Sequence, residues 1–234
     1  MKTLPLGLLL LIGLAGSFQA QQSNYQKDQI RRARIKRITS VVSTKQKFVS
    51  DYDQRGNLVR RVGYGSDGSA ILQESFKYDD KDNVIEAVIG GEKRTYSYRY
   101  SSKGQAMEAR LFDSEGRLRE RTEYVVDEAG RVVQSLFYRG ADGNVVERHL
   151  HTYQSSDVLS QTLIQGPNGN LMSRITYEYE GDRLRRKSIY GPNGNLLRQS
   201  VYKRDQKGLV VEELGIDEKG QPLDRTMSEY EFYS

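Results

Sequence analysis

The sequence predicts an all-β protein: a repetitive antiparallel β-hairpin meander whose strands form an elongated, curved single sheet or an open spiral. The first observation is a turn tetrapeptide, with Asp or Gly first and Gly fourth, that recurs along the chain. From Gly104 onward, successive turns are 12 to 14 residues apart. The second observation is a pattern between turns, with Leu or Val two residues after the turn Gly and Tyr eight residues after it. This even offset places both side chains on one face of an extended strand, whereas a helix would separate them.

The first twenty residues have the three-part form of a secretory signal peptide. Lys2 gives a positive start, residues 4–14 form an apolar run, and small or polar residues follow up to Ala20. The run is too short to cross a bilayer as a helix, which takes about 20 residues. We expect cleavage after Ala20, with cleavage after Ser17 as the alternative. Residues 21–34 then form a polar and basic leader.

The repeat domain is expected to cover residues 35–234. Ile38, Ser40 and Val42 alternate as in a first strand, although the apolar residues here would also line one face of a short helix. We favour the strand because the repeat pattern continues from Lys47 without a breaker.

The turn tetrapeptide matches the preferences of a type I turn followed by a bulge. Asp is favoured at the first position, Pro at the second and a Gly with positive φ at the fourth. Residues 166–169 and 191–194 both read Gly-Pro-Asn-Gly. Strands of about eight residues between such turns give about thirteen to fifteen strands at about 4.8 Å spacing. A sheet that wide coils under its right-handed twist, which is why we expect curvature.

Two segments carry a resemblance to a known repeat family. Residues 52–58, Tyr-Asp-Gln-Arg-Gly-Asn-Leu, and residues 78–84, Tyr-Asp-Asp-Lys-Asp-Asn-Val, resemble the YD repeat of Rhs-type and wall-associated proteins. The hairpins punctuated by Gly and Tyr are also similar to MORN-type repeats. The resemblance extends over residues 48–233 in short, divergent units. It implies a β-hairpin architecture and an association with cell surfaces and carbohydrate.

The composition excludes most catalytic classes. The chain has no Cys and only two His, which removes disulfides, thiolate metal sites and cysteine nucleophiles. Glu147, His149 and His151 alternate along a predicted strand and would be able to meet at a metal ion. His151 stands where the repeat usually has Tyr, however, which favours a structural role. We therefore predict no catalytic residue, no metal and no cofactor.

The candidate ligand-binding residues are arginines and tyrosines that alternate along predicted strands. They are Arg117, Arg119 and Arg121, Arg183 and Arg185, and Tyr96, Tyr98 and Tyr100. Such rows hold an anionic polymer through charge and ring contacts, and the alternative is that they form a solvated sheet face. The formal net charge of +5 is too small to favour nucleic acid.

These observations predict an exported, non-enzymatic protein for binding or scaffolding at the bacterial envelope or cell surface, in the periplasm or outside the cell. Its expected partner is an anionic envelope polysaccharide or another protein, and it is not expected to span a membrane. One alternative is an immunity protein that neutralises a partner toxin. A third hypothesis is a carbohydrate-active hydrolase. Neither the ligand nor the oligomeric state follows from the sequence.

Overall fold

The computed structural model describes residues 27–42, 45–140, 143–155 and 158–234. The predicted signal peptide and residues 21–26 of the predicted leader lie outside this part of the chain. The described residues form a short helix over residues 27–32 and antiparallel strands connected by turns. The strands are β1 (Ile35–Val42), β2 (Lys47–Tyr52), β3 (Leu58–Tyr64), β4 (Ala70–Tyr78), β5 (Val84–Ile89), β6 (Glu92–Tyr100), β7 (Ala106–Phe112), β8 (Leu118–Val126), β9 (Val132–Arg139), β10 (Val145–Ser155), β11 (Val158–Gln165), β12 (Leu171–Glu180), β13 (Arg183–Tyr190), β14 (Leu196–Arg204), β15 (Val210–Ile216) and β16 (Pro222–Phe232).

The sheet closes on itself. Each strand pairs with its neighbours in the chain, and β1 also pairs with β16, where Ser40 lies opposite Ser228 and Ile38 opposite Tyr230. The antiparallel meander was predicted, but the open curved sheet or spiral was wrong, because the result is a closed barrel of sixteen strands. Closure satisfies the backbone groups that two free edge strands would leave unpaired. The predicted first strand is confirmed as β1.

The predicted turns form as expected. In the turn between β13 and β14, the Gly194 amide donates to the Gly191 carbonyl at 3.0 Å, and Gly194 has a φ of +84°. In Asp-initiated turns the carboxylate accepts the amide two residues on, as Asp205 does from Lys207 at 2.9 Å. These are the local contacts that define the type I turn with a bulge Gly.

A β-bulge beside most of the turns changes which side chains share a face. Tyr190 pairs with Leu196, while Ile189 pairs with Arg198. Because Ile189 and Tyr190 point to opposite faces, Leu196 and Arg198 also do, although they are two residues apart. Tyr202 shares the face of Arg198. The expectation that Leu and Tyr leave the same face is therefore wrong here, since the extra residue of the bulge breaks the alternation.

Alternate turns lie at opposite ends of the barrel. We call the end that carries the turns after β2, β4, β6, β8, β10, β12 and β14 the helix end, because helix 27–32 lies there. Lys27 forms an ion pair with Asp82 at 2.7 Å, and Ile30 packs with Ile35, Ile38 and Leu209. The opposite end, with the turns after the odd-numbered strands, is called the far end.

Some turns at the helix end contact one another. A Cβ added to Gly130 or Gly208 would meet a neighbouring side chain, whereas at Gly181 of the same end, and at Gly169 and Gly194 of the far end, no described atom lies within 4 Å. Contacts among strands are concentrated between ladder neighbours. A closed barrel of sixteen strands is of the size that can enclose a lumen.

The inner face is the one on which side chains converge and become buried. On β12, Ile175 and Tyr177 are 4% and 3% exposed, whereas Met172 and Glu178 on the other face are exposed. Following paired residues across the ladders from β12 to β6 places Tyr98 on the same inner face.

Tyrosine hydroxyls fasten the hairpins together near the helix end. Each donates to the carbonyl of the first residue of the preceding strand, at distances of 2.5 to 2.9 Å. These tyrosine latches are Tyr78 to Leu58, Tyr98 to Val84, Tyr153 to Val132 and Tyr230 to Val210. All the latch tyrosines lie on even-numbered strands, so the structural repeat is a two-stranded hairpin and not a single strand.

Candidate functional site

A row of side chains crosses four strands on the inner face near the far end. Tyr96 on β6 pairs with Leu111 on β7, Leu111 with Glu120 on β8, and Glu120 with Arg139 on β9. Arg94, two residues before Tyr96, lies on the same face of β6. We call Arg94, Tyr96, Glu120, Arg139 and the neighbouring Glu147 of β10 the inner-face cluster.

Three members of the cluster line a cavity at the rim of the far end. Glu120, Phe137, Arg139 and Glu147 contribute to it from the inner face and Arg121, Tyr138 and Val146 from the outer face, and its volume is about 190 Å³. Burial raises the pKa of the Glu120 carboxyl, and the positive charges of Arg139 and then Arg94 oppose that shift. The cavity thus combines carboxylate acceptors, guanidinium donors and an aromatic ring.

Behind the cavity, Glu147 is held by a buried histidine. The His149 Nε2–H donates to the Glu147 Oε1 at 2.5 Å, and the His149 ring lies 4.6 Å from the Phe137 ring. His149 is 1% exposed. The contact restrains the Glu147 carboxylate, which also lines the cavity.

His151 is held between two hydroxyl groups. Its Nε2 lies 3.2 Å from Ser135 Oγ and its Nδ1 lies 3.1 Å from Thr162 Oγ1. Burial, with a smaller contribution from the charge of His149, lowers the pKa of His151 to about 4. The ring is therefore neutral at pH 7. In the described part of the chain, no three His, Asp or Glu side chains are grouped to hold a metal ion.

The predicted arginine stripe lies on the outer face and at the far end. Arg117 and Arg119 both contact Asp113, with Nε–Oδ2 distances of 2.9 and 2.8 Å. Arg121 stacks on the outer-face ring of Tyr138 at 4.1 Å. These arginines are thus engaged with their own strand and turn neighbours.

The remaining predicted residues are divided between the inner face and the helix end. Tyr96 and Tyr98 point inward, but the Tyr100 hydroxyl donates to Asp79 Oδ2 at 2.7 Å within the turns of the helix end. Arg183 and Arg185 begin β13 at that same end. The structure therefore places the arginine stripe and the inward tyrosines on opposite faces of the sheet.

Arg94, Glu120 and Arg139 were not among the residues predicted from the sequence. The even spacing from Arg94 to Tyr96 was a signal that they share a face. No such signal existed for Glu120 and Arg139, because their place beside Tyr96 depends on the register of three ladders.

Comparison with known proteins gives remote structural similarities only. No known protein-family profile and no curated protein matches the chain. Its structure is similar to that of a porin-like protein from Bacteroides uniformis, with 14% identity, a TM-score of 0.38, and coverage of 85% of this chain and 97% of that one. A porin-like protein from Bacteroides vulgatus has 11% identity, a TM-score of 0.36, and coverage of 84% and 98%. A putative outer membrane lipoprotein-sorting protein domain from Vibrio parahaemolyticus has 11% identity, a TM-score of 0.25, and coverage of 88% and 91%.

The predicted relationship to YD-repeat and MORN-type proteins is wrong. No profile of either family matches the chain, and the strands close into a barrel where the resemblance implied an open repeat sheet. The misleading signal was the turn chemistry, since Asp or Gly followed by Gly three residues later serves any short hairpin. Within the described residues, no helix is long and apolar enough to cross a membrane.

Proposed function

We propose that the protein is an exported, non-enzymatic binding protein of the bacterial envelope or cell surface. Its barrel stands in water, and a polysaccharide binds the inner-face cluster through the far end. The observation that carries the proposal is the division between the two faces of the closed sheet. The outer face carries ion pairs between charged side chains, whereas the inner face presents a ring beside donors and acceptors near the far end.

The outer face supports a barrel wall in water. Ion pairs cross it at distances of 2.6 to 2.8 Å. They are Arg37–Asp51, Lys77–Glu86, Lys93–Glu86, Arg110–Glu108 and Arg225–Glu212. Hydrogen bonds from Lys77 and Lys93 lower the pKa of Glu86 to about 2, so this group is charged at neutral pH. A lipid-facing wall would carry an apolar band about 25 Å tall in their place.

Strand length supports the same conclusion. A strand that crosses a bilayer needs about 9–11 residues. β2 and β5 have six residues each, and β3, β7 and β15 have seven, whereas the even-numbered strands from β4 to β16 have nine to eleven. Most of the odd-numbered strands are therefore too short to cross a bilayer.

The inner-face cluster suits a ligand rich in hydroxyl groups. Glu120 and Glu147 supply acceptors, and the guanidinium groups of Arg94 and Arg139 supply donors with fixed geometry. The ring of Tyr96 lies in the same row and offers an apolar face for a sugar ring. The two arginines also allow acidic sugars, in keeping with the predicted anionic polysaccharide.

The test is titration calorimetry with purified envelope polysaccharides, both neutral and anionic, against the wild type and single variants. Arg139→Ser and Glu120→Gln alter the cluster, while Arg110→Ser removes an outer-face arginine that does not line the cavity, as a matched control. We expect the cluster variants to weaken binding about tenfold or more, the size of one lost charge-assisted contact, and the control to bind as the wild type does. Equal binding by Arg139→Ser and the wild type, or release of shortened glycan during incubation, would contradict the proposal.

A further inference from the structure

Three apolar side chains on β10, β12 and β14 project from the outer face at the rim of the far end, and Ile71 on β4 and Leu223 on β16 hold the same place with 48% and 51% exposure. Val146, Met172 and Leu197 are 36%, 46% and 50% exposed. Each is the second residue of its strand and the third residue after a turn Gly, on β10, β12 and β14 respectively. Because they occupy the same place in successive hairpins, they lie at one height above the far end. We call them the rim row.

The turns before Met172 and Leu197 carry no charged side chain. Residues 166–170 and 191–195 both read Gly-Pro-Asn-Gly-Asn. Other far-end turns are acidic, with Asp67 after β3, Asp113 and Glu115 after β7, Asp142 after β9, and Asp217 and Glu218 after β15. In the sector from β12 to β14, both the turns and the first outward-facing side chains can therefore leave water at low free-energy cost.

Arginines form the next layer on the same face. Arg148 and Arg174 follow Val146 and Met172 by two residues, so they point outward one step farther from the tips. Arg174 lies over the ring of Tyr190 at 4.6 Å, which adds an aromatic side chain between β12 and β14. An apolar edge backed by cations and an aromatic ring is the arrangement of segments that insert at the surface of an anionic bilayer.

We propose that the rim row docks the far end of the barrel onto a lipid surface with anionic headgroups. The row is one side chain deep and spans four strand spacings, or about 19 Å. Three partly exposed side chains offer much less than the roughly 800 Å² that a stable protein interface buries on each partner. Side chains at a common height instead meet a flat surface together, with Arg148 and Arg174 at the level of the headgroups. This proposal concerns the outer rim and does not depend on the inner-face ligand.

The test is co-sedimentation of the mature protein with vesicles of phosphatidylcholine alone and of phosphatidylcholine with phosphatidylglycerol. The double variant Met172→Asp/Leu197→Asp removes the apolar edge, and Arg148→Gln/Arg174→Gln removes the cations. Val125→Asp is the matched control, because Val125 is 43% exposed on the outer face toward the helix end. Circular dichroism and thermal unfolding establish that every variant is folded.

We expect the wild type and Val125→Asp to bind the anionic vesicles equally. The apolar variant should bind about tenfold more weakly or worse, and the arginine variant should lose the preference for phosphatidylglycerol. Equal binding by the wild type and the apolar variant would overturn the proposal, as would binding to neither vesicle. A wild-type dimer in solution that Met172→Asp/Leu197→Asp dissociates would also overturn it, since the rim row would then join two copies of the chain.

Discussion

His151 shows how one substitution in a repeat is accommodated by its neighbours. The place where the repeat usually has Tyr is filled by an imidazole, and Ser135 and Thr162 supply one hydroxyl to each ring nitrogen. Side chains this small leave room for a ring between β9 and β11. The buried polar atoms of the imidazole are then satisfied, which avoids the cost of about 1–3 kcal/mol for each unpaired group.

We predict that protonation of His151 destabilises the fold in mild acid. Its folded-state pKa of about 4 lies below the ordinary value of 6.5, so the unfolded chain binds more protons between these two values. The stabilisation is complete above pH 6.5 and is lost as the pH falls toward 4, with a total on the order of 3 kcal/mol. Urea unfolding at several pH values measures it, and His151→Gln should show a correspondingly flatter dependence. The same slope in variant and wild type would contradict the assignment.

The hairpin is the element that repeats, and the tyrosine latches explain why. A latch joins a tyrosine near the end of a hairpin's second strand to the carbonyl at the start of its first strand. The latch tyrosines therefore lie on even-numbered strands. On β14 the guanidinium of Arg204 takes this role, since its Nη2 donates to the Leu184 carbonyl at 3.2 Å. The turns themselves do not distinguish odd from even strands.

We predict that Tyr153→Phe lowers the free energy of unfolding by about 1 kcal/mol, the usual net contribution of one hydrogen bond. The Tyr153 hydroxyl donates to the Val132 carbonyl at 2.8 Å, and the ring itself is preserved in Phe. Tyr190→Phe is the control, because no hydrogen bond of the Tyr190 hydroxyl occurs in the described part of the chain. Urea denaturation compares them. Equal losses from both variants would mean that the latch adds nothing beyond ring packing.

The elements predicted from the sequence are those that depend on local chemistry. Pro192-Asn193-Gly194 specifies its own turn, because Pro fixes φ and Gly permits the positive φ. The bulge that puts Leu196 and Tyr202 on opposite faces depends on the pairing of β14 with β13. A prediction from the alternation of residues along one strand was therefore wrong. The same limit applies to the site. Tyr96 was found from the alternation of tyrosines along its strand, while Glu120 and Arg139 became its neighbours only through the ladders.

At the scale of the whole molecule, closure depends on a contact that no local pattern describes. β1 and β16 are nearly the full length of the repeat domain apart, and nothing in either sequence marks it as a partner of the other. Closure creates the inner face, and without it Tyr96, Glu120 and Arg139 would lie on an open surface. The functional proposal therefore depends on this one ladder.

We predict that Ser40→Cys/Ser228→Cys forms an intramolecular disulfide in the native protein. The two Oγ atoms lie 3.0 Å apart across the β1–β16 ladder, and the chain has no other Cys. Mild oxidation should give a monomer of higher mobility on a non-reducing gel. The loop would contain 188 residues, and closing it in the unfolded chain corresponds to a stabilisation of roughly 5 kcal/mol at most.

Ser40→Cys/Ser188→Cys is the control, because β13 lies three strands from β16, and it should remain reduced. An open sheet or spiral would keep Ser40 and Ser228 far apart, so a double variant that stays reduced, or forms only intermolecular disulfides, would show that the barrel does not close.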